Sequence, residues 1–339
     1  MPSPLESPKA LQAGVNMKLR FACLILFLAY VPSAFAWGCA GHETVAVLAE
    51  RQLNKHAKAQ VEVLLAHADL YKGVQRNCPD TQLGKMAYFA TWPDDYRALD
   101  PKTGPWHYWD IPLLATSIPA ATERCQEGCV TQAILDQVAV LKNPNAQPLE
   151  RAQALAFVIH FVGDLHHPLH SSDNNDRGGT CLPVTVFGVS PVLDAHHPEY
   201  GYYRPNLHSA WDNDLLERTA HIQKDAMDAG VLEFSKRLES KYHSQMKSWR
   251  KTGIDPVLWA WETHRYALDP AYGHLPVKVA MEQPVAVADC AGHDHVSRRL
   301  LALHETIDEN YLSAAEPVIE EQIAKAGTRL ALILNQVWP

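Results

Sequence analysis

The sequence predicts an all-α protein: a single, mainly helical domain with long loops and at most one small β-hairpin. Apolar residues recur at three- and four-residue steps through most of the chain, the period of a half-buried helix. Only one short stretch, Pro183 to Gly188, has the look of a hairpin. No repeat, low-complexity tract or Gly/Ser linker divides residues 37–339, so one domain is expected there. About 47% of the 339 residues are hydrophobic, ample for a buried core and too many for a disordered chain.

The N-terminal segment, residues 1–36, stands apart. The sixteen residues before Met17 carry no targeting pattern. From Met17 to Ala36, Lys18 and Arg20 precede an apolar run from Phe21 to Val31, and Ala34-Phe35-Ala36 follows as an A-x-A cleavage site. The apolar run is short for a membrane span of about 20 residues, so a cleaved secretory signal is the better reading than an anchor. The mature chain is then expected to begin at Trp37.

Within the mature region the period-3.6 pattern places helices near 42–70, 82–98, 130–142, 148–166, 205–226, 230–248, 255–268, 292–313 and 316–336. In the last of these, Val318, Ile319, Ile323, Leu330, Leu334 and Val337 form one apolar stripe, read as core. Between the fourth and fifth helices lie about forty residues with Gly178, Gly179 and several prolines. A loop that long inside a compact domain is usually functional, and this one opens directly after a run of histidines.

Loss of the signal removes Cys23 and leaves Cys39, Cys78, Cys125, Cys129, Cys181 and Cys290. An even count in an exported chain points to disulfides, with fifteen possible pairings. Cys125 and Cys129 could close a small loop of their own; a zinc site there lacks a second pair at ligand spacing. No N-x-S/T sequon occurs, which together with the signal type leads to the expectation of a secreted or periplasmic bacterial protein. Net charge is −8, from 38 acidic and 30 basic side chains, so the molecule has no overall positive field to attract a polyanion. A polyanionic substrate would have to be met by locally bound metal.

Candidate metal ligands are concentrated in four places. In His160-Phe-Val-Gly-Asp164, two ligand types sit four residues apart, so a helix places both on one face one turn apart. Pro168 ends that helix and lets His170 turn elsewhere. His208 and Asp212 repeat the spacing in a second helix, and facing helices are where buried metal sites are commonly assembled. Trp92-Pro-Asp94-Asp95-Tyr-Arg97 and Trp106-His107-Tyr108-Trp109-Asp110 add another Asp and His in aromatic surroundings, and Trp37-Gly-Cys-Ala-Gly-His42 forms the expected mature terminus. Each pair alone is more often an ordinary hydrogen-bonded pair; their recurrence weakens that explanation.

Taken together and in order, Trp37 to His42, Trp92-x-Asp94, Trp106-His107-Tyr108, H-x₃-D-x₅-H from His160 to His170 and Asn206-Leu-His208-x₃-Asp212 resemble the type I nucleases. These are zinc-dependent single-strand-specific nucleases of fungi, plants and bacteria, distantly similar to bacterial zinc phospholipase C. Ala326-Gly327-Thr-Arg329-Leu330-Ala331 is similar to the family's last helix, so the resemblance spans the mature chain. It implies three Zn²⁺. Asp94, His107, His160 and Asp164 would hold one. The α-amine and carbonyl oxygen of Trp37, His42 and the other oxygen of a bridging Asp164 would hold the second, and His170, His208 and Asp212 the third. Nitrogen and oxygen donors suit zinc, and three ions would exceed the charge of Asp94, Asp164 and Asp212 locally, in an otherwise acidic protein. Zinc lowers the pKa of water to about 7, which supplies a nucleophile for in-line attack on phosphorus.

The resemblance further implies that Arg97 stabilises charge near the scissile phosphate, that Tyr108 stacks on a base and that Asp110 contacts its edge. An exposed ion pair for Arg97, and packing or capping roles for Tyr108 and Asp110, are the alternatives. Two departures from the family pattern stand out. The usual His-Gln-Pro-Leu-His is His166-His167-Pro168-Leu169-His170 here, and the usual Gly-Gly-Asn near the phosphate is Gly178-Gly179-Thr180, where Thr180 lacks an amide donor. Asp95 competes with Asp94 for the ligand role, and the spacing from Trp92 favours Asp94. The remaining histidines, including His196 and His197, receive no role. The function expected is endonucleolytic cleavage of single-stranded DNA and RNA to 5′-phosphate products, with 3′-nucleotides as further substrates and no stable protein partner. A phospholipase C-like hydrolase and a non-catalytic zinc carrier are the rival readings.

Overall fold

A nearly all-buried helix lies at the centre of the structure because its sequence is apolar around its whole circumference. Pro148–Leu165 has Ala152 and the unbroken run from Ala154 to Leu165 buried, and an all-round apolar helix belongs inside a bundle rather than on its surface. Gln147 and Glu150 cap its start reciprocally, and Pro148 occupies the first turn, where its missing N–H costs nothing. The structure, a computed structural model, describes residues 37–119, 125, 128–195, 198–276, 289–292 and 295–339. The expected signal sequence and His196 and His197 lie outside these residues.

Twelve helices are described in chain order: α1 (Gly38–Glu50), α2 (Lys55–Leu64), α3 (Lys85–Phe89), α4 (Trp92–Tyr96), α5 (Val130–Lys142), α6 (Pro148–Leu165), α7 (207–220), α8 (Met227–Lys241), α9 (His243–Trp249), α10 (Pro256–Tyr266), α11 (Val296–Leu301) and α12 (Glu309–Val337). Short 3₁₀ turns at Pro101–His107 and Pro168–His170 matter to the site. The described residues contain only two-residue strands and no closed sheet, so the chain is mainly helical, as its periodicity predicts.

The boundaries moved where side chains cap the backbone. The expected helix at 42–70 is two helices, because the Asn54 side chain accepts from Ala57 N–H at 2.8 Å and starts α2 afresh. The expected helix at 82–98 likewise divides, with Pro93 at the opening of α4. The largest correction concerns 292–313. Those residues hold α11, a strand at Thr306–Ile307 and the start of α12, which Asp308 caps by accepting from the N–H groups of Asn310 and Tyr311. α12 then runs straight through Pro317, where a boundary was expected. A proline inside a helix costs about 3 kcal/mol. The buried stripe from Tyr311 and Leu312 through Ile319 and Ile323 to Leu334 continues across it and offsets that cost.

The expected hairpin at Pro183 to Gly188 also resolves differently. Val186 and Val189 exchange hydrogen bonds of 3.0 and 2.9 Å around a tight turn, but Thr185–Val186 pairs in parallel with the distant Thr306–Ile307. Val192–Leu193 pairs antiparallel with Tyr203–Arg204. These pairings fold the long loop back onto the helices.

α1, α6 and α12 form the packed centre. Gly327 of α12 lets α1 approach: a Cβ there would sit 2.5 Å from Leu48 Cβ. Disulfides Cys39–Cys78, Cys125–Cys129 and Cys181–Cys290 staple the periphery, including the small loop read from the sequence. They fit a protein of an oxidising compartment. No described helix is long and apolar enough to cross a membrane.

Candidate metal centre

The site lies where α6 meets its neighbours. α6 contributes His160 and Asp164 one turn apart, α1 contributes His42, α4 contributes Asp94, and the Pro101–His107 turn ends on His107. Asp164 is the hub. Its Oδ1 is 3.4 Å from His42 Nε2, while its Oδ2 is 3.0 Å from His107 Nδ1 and 3.1 Å from His160 Nε2. Asp94 faces the same point from the other side, with Oδ1 3.6 Å from His107 Nδ1 and Oδ2 3.6 Å from His160 Nε2. All five side chains are buried.

A second cluster adjoins the first. Pro168 breaks the chain direction after α6 and the following turn carries His170 inward, its Nε2 2.9 Å from His208 Nε2. Asp212 lies one turn beyond His208 in a π-helical segment, Ala210–Leu215, of the kind often found at functional sites; its Oδ1 is 3.8 Å from His208 Nε2. Trp37 is fully buried beside both clusters: its ring N–H donates to Gly163 O at 3.0 Å and its backbone N–H bonds the Asp212 carboxylate. The structure therefore brings Trp37, His42, Asp94, His107, His160, Asp164, His170, His208 and Asp212 to one place.

The donor atoms fit a cation and little else. His42 Nε2, Asp94 Oδ2, Asp164 Oδ1 and Asp212 Oδ1 are all buried with no hydrogen-bond partner, a costly state unless something else satisfies them. Orientation is consistent with this. The Nδ1 atoms of His160, His170 and His208 lie 2.7, 2.8 and 2.7 Å from the carbonyl oxygens of Ala90, His107 and Gly178. A carbonyl only accepts, so each Nδ1 holds the proton and each Nε2 presents a lone pair to the cluster. Three sets of residues have donor atoms close enough to share an ion: His42 with Asp94 and His160; His107 with His160 and Asp164; and His167 with His170 and Asp212.

Electrostatics favour neutral imidazoles at His107 and His208 but not at His160, where burial is outweighed by the charges of Asp164 and Asp94 and the pKa is raised. Burial, then the charge of Arg97, pulls His107 down to about 4; burial, then His170, takes His208 to about 3. Burial opposes ionisation of Asp164, but the charge of His160 and contacts from His107, His160 and His42 overcome it and hold the carboxyl well below its ordinary range. Asp212 is pushed well up, by burial and then by Asp94.

Packing reserves space for His42. Gly163 faces it, and a Cβ there would lie 2.8 Å from His42 Nδ1. Gly163→Ala is therefore expected to displace the imidazole and lower zinc retention under chelator challenge about tenfold or more, while leaving the remainder of α6 helical by circular dichroism. Retention equal to that of the parent protein would show that His42 does not need this position.

Asp94 and Asp95 point in different directions. Asp95 turns away, its Oδ1 accepting from Asn77 N–H at 3.0 Å and Asn77 Nδ2 at 2.8 Å, and burial lifts its pKa to about 6. Arg97 Nη2 pairs with Asp94 Oδ1 at 2.8 Å, so it is tied to the centre. Tyr108 is 36% exposed, though burial still raises the pKa of its phenol, and Asp110 and Thr180 are half-buried. Sequence reasoning gave no role to Arg177, whose charge reaches the Tyr108 phenol along with that of Arg97. It also passed over His167, which the adjacent pair His166-His167 obscured. The two rings differ. His166 is tied to Val162 O at 2.7 Å and to Arg329 at 3.0 Å, away from the donors, whereas His167 joins the second cluster.

A buried constellation of imidazoles and carboxylates on a helical scaffold, with a shared carboxylate between two groups of donors, defines a metal-dependent hydrolase of phosphoesters as a class. The S1/P1 nuclease family pattern matches residues 37–339, and the chain belongs to that family of zinc-dependent nucleases. It is 25% identical to endonuclease 2 of Arabidopsis thaliana over 96% of this chain and 99% of that protein. To nuclease S1 of Aspergillus oryzae it is 26% identical over 91% of this chain and 94% of that one; to nuclease P1 of Penicillium citrinum, 26% over 89% and 97%. These relatives come from a plant and from fungi and give no support to the expected bacterial source.

Proposed function

We propose that residues 37–339 act as one exported, monomeric domain, a trinuclear zinc endonuclease that cleaves single-stranded DNA and RNA to 5′-phosphate products and also hydrolyses 3′-nucleotides. The observation that carries this reading is Asp164, whose two oxygens face two different groups of buried donors. Asp94, His107, His160 and Asp164 would hold one ion, and the amine and carbonyl of Trp37, His42 and Asp164 a second. His170, His208 and Asp212 would hold the third. Bound zinc supplies a water of lowered pKa and charge to offset the phosphate.

The protein's own groups do the rest. Backbone carbonyls fix the ring orientations of His160, His170 and His208. Arg97 holds Asp94 and adds positive charge at the edge of the cluster. The exposed Tyr108 face accepts an unpaired base, with Asp110 beside it for the base edge and Thr180 in the glycine turn as a hydroxyl donor. Bases inside a duplex have no free face to offer, so such a platform selects single strands.

Mature protein with zinc restored is expected to degrade single-stranded DNA and RNA far faster than duplex DNA, and lecithin not at all. Intact single strands at full zinc occupancy would overturn the reading, and turnover of lecithin alone would install the lipase alternative. Tyr108→Ala should raise KM for polynucleotide about 10–100-fold, the loss of one stacked base, and leave hydrolysis of a base-free aryl phosphodiester unchanged. Equal losses on both substrates would remove the stacking role.

A further inference from the structure

Three consecutive residues outside the metal centre, Arg76, Asn77 and Cys78, reach the segments that carry its ligands. Arg76 belongs to the loop between α2 and α3, yet its side chain is only 8% exposed. Its terminal nitrogens serve three separate segments. Nη1 donates to the carbonyl oxygen of Tyr88 and, at 3.0 Å, to Thr91 Oγ1; Nη2 donates to Pro79 O at 2.9 Å and to Glu43 Oε1 at 3.3 Å. The guanidinium carbon also lies over the Tyr88 ring, 4.4 Å from its centre.

These contacts end beside groups that face the centre. Tyr88 and Thr91 bracket Ala90, whose carbonyl oxygen lies 2.7 Å from His160 Nδ1 and sets the orientation of that ring. Glu43 follows His42 on α1, and its side chain is wholly buried; a helix pinned at Glu43 cannot roll, so the aim of His42 is fixed with it. The His42 and His160 rings are stacked with centroids 4.0 Å apart, so a shift of either segment disturbs both imidazoles. Asn77 fixes Asp95, the neighbour of Asp94, and Cys78 is bonded to Cys39, two residues beyond Trp37. The loop is thus anchored to the same two segments that its guanidinium joins.

We propose that Arg76 is a positioning residue for the paired ions: by holding the Ala90 link and Glu43 together, its planar fork fixes the spacing between the His160 and His42 imidazoles. Arg76 presents only protons and is not a ligand. The third set takes its orientation elsewhere, since His170 and His208 bond the carbonyl oxygens of His107 and Gly178. The brace therefore acts on two ions and not on the third. The inference rests on the zinc reading of His42, His160 and Asp164 given above.

The test compares the mature, zinc-loaded parent protein with Arg76→Met and with Arg76→Met/Glu43→Met, by elemental analysis after dialysis against graded chelator. Arg76→Met leaves Glu43 buried without its partner and could prevent folding. The double variant removes both charges at similar volume and carries the test by itself. Both variants are expected to release two ions at about 10–100-fold lower chelator concentration than the parent and to hold the last ion as the parent does. In a His208→Ala background, which lacks the third site, the double substitution should loosen every ion that remains. Loosening of all three ions together, as a general loss of structure would give, or of one alone, or of none, would overturn the proposal. So would unchanged retention in the His208→Ala background. A parent protein that binds no zinc would instead overturn the zinc reading itself, on a measurement separate from the variants.

Discussion

Asp164→Asn should release two zinc ions rather than one and lower phosphodiester hydrolysis by at least about 10³-fold. The two carboxylate oxygens are not equivalent in the structure: Oδ1 faces His42 at 3.4 Å and Oδ2 faces His107 and His160 at 3.0 and 3.1 Å. An amide keeps the shape and one oxygen but presents an NH₂ group to the other set of donors, where a lone pair and a negative charge are needed. It also removes the negative charge that, against the cost of burial, His160, His107 and His42 stabilise on the carboxylate. Elemental analysis of the purified variant, beside His42→Ala as a single-site control, would read the difference. Loss of only one ion, or activity within tenfold of the parent, would show that Asp164 does not bridge.

A single residue added before Trp37 is expected to be almost as damaging, with a loss of one zinc and at least about 10²-fold in activity. The reason is chemical rather than steric. An amine nitrogen has a lone pair to offer, whereas the amide nitrogen formed by any preceding residue has its lone pair delocalised into the carbonyl. The surroundings allow no retreat: Trp37 is wholly buried, its ring is fixed to Gly163 O at 3.0 Å, and its carbonyl accepts from Gly41 N–H at 2.9 Å. Its backbone nitrogen already points at Asp212. Mass spectrometry of the terminus, paired with a zinc count and an activity assay, would decide the matter. An extended chain with a full zinc complement and undiminished activity would exclude the terminal amine as a ligand.

These predictions depend on features of unequal visibility in the sequence. α5 was read at its true ends, Val130–Lys142, because an isolated apolar stripe bounded by a cysteine loop and by Asn-Pro has no competing partner. In the region 292–313 the apolar residues keep helical steps across a strand, and that strand exists only through its pairing with Thr185–Val186. In the site, the four-residue spacings of His160 with Asp164 and His208 with Asp212 are local facts that one helical turn converts directly into geometry. The direction of Asp95, set by Asn77, and the Leu169 N–H that donates to His167 Nδ1 are not.

Residue types and periodicity were enough to specify a helical protein with His and Asp pairs one helical turn apart, since those depend on contacts within a turn or two of helix; the zinc set as a whole followed only from the family resemblance. Which oxygen faces which imidazole, which ring nitrogen keeps its proton, and which of two neighbouring acids or histidines enters the site were decided only on folding. Each of those choices is made by a hydrogen-bond partner or a packed ring contributed by a different element, and no local pattern encodes the position of a group that arrives from elsewhere in the chain.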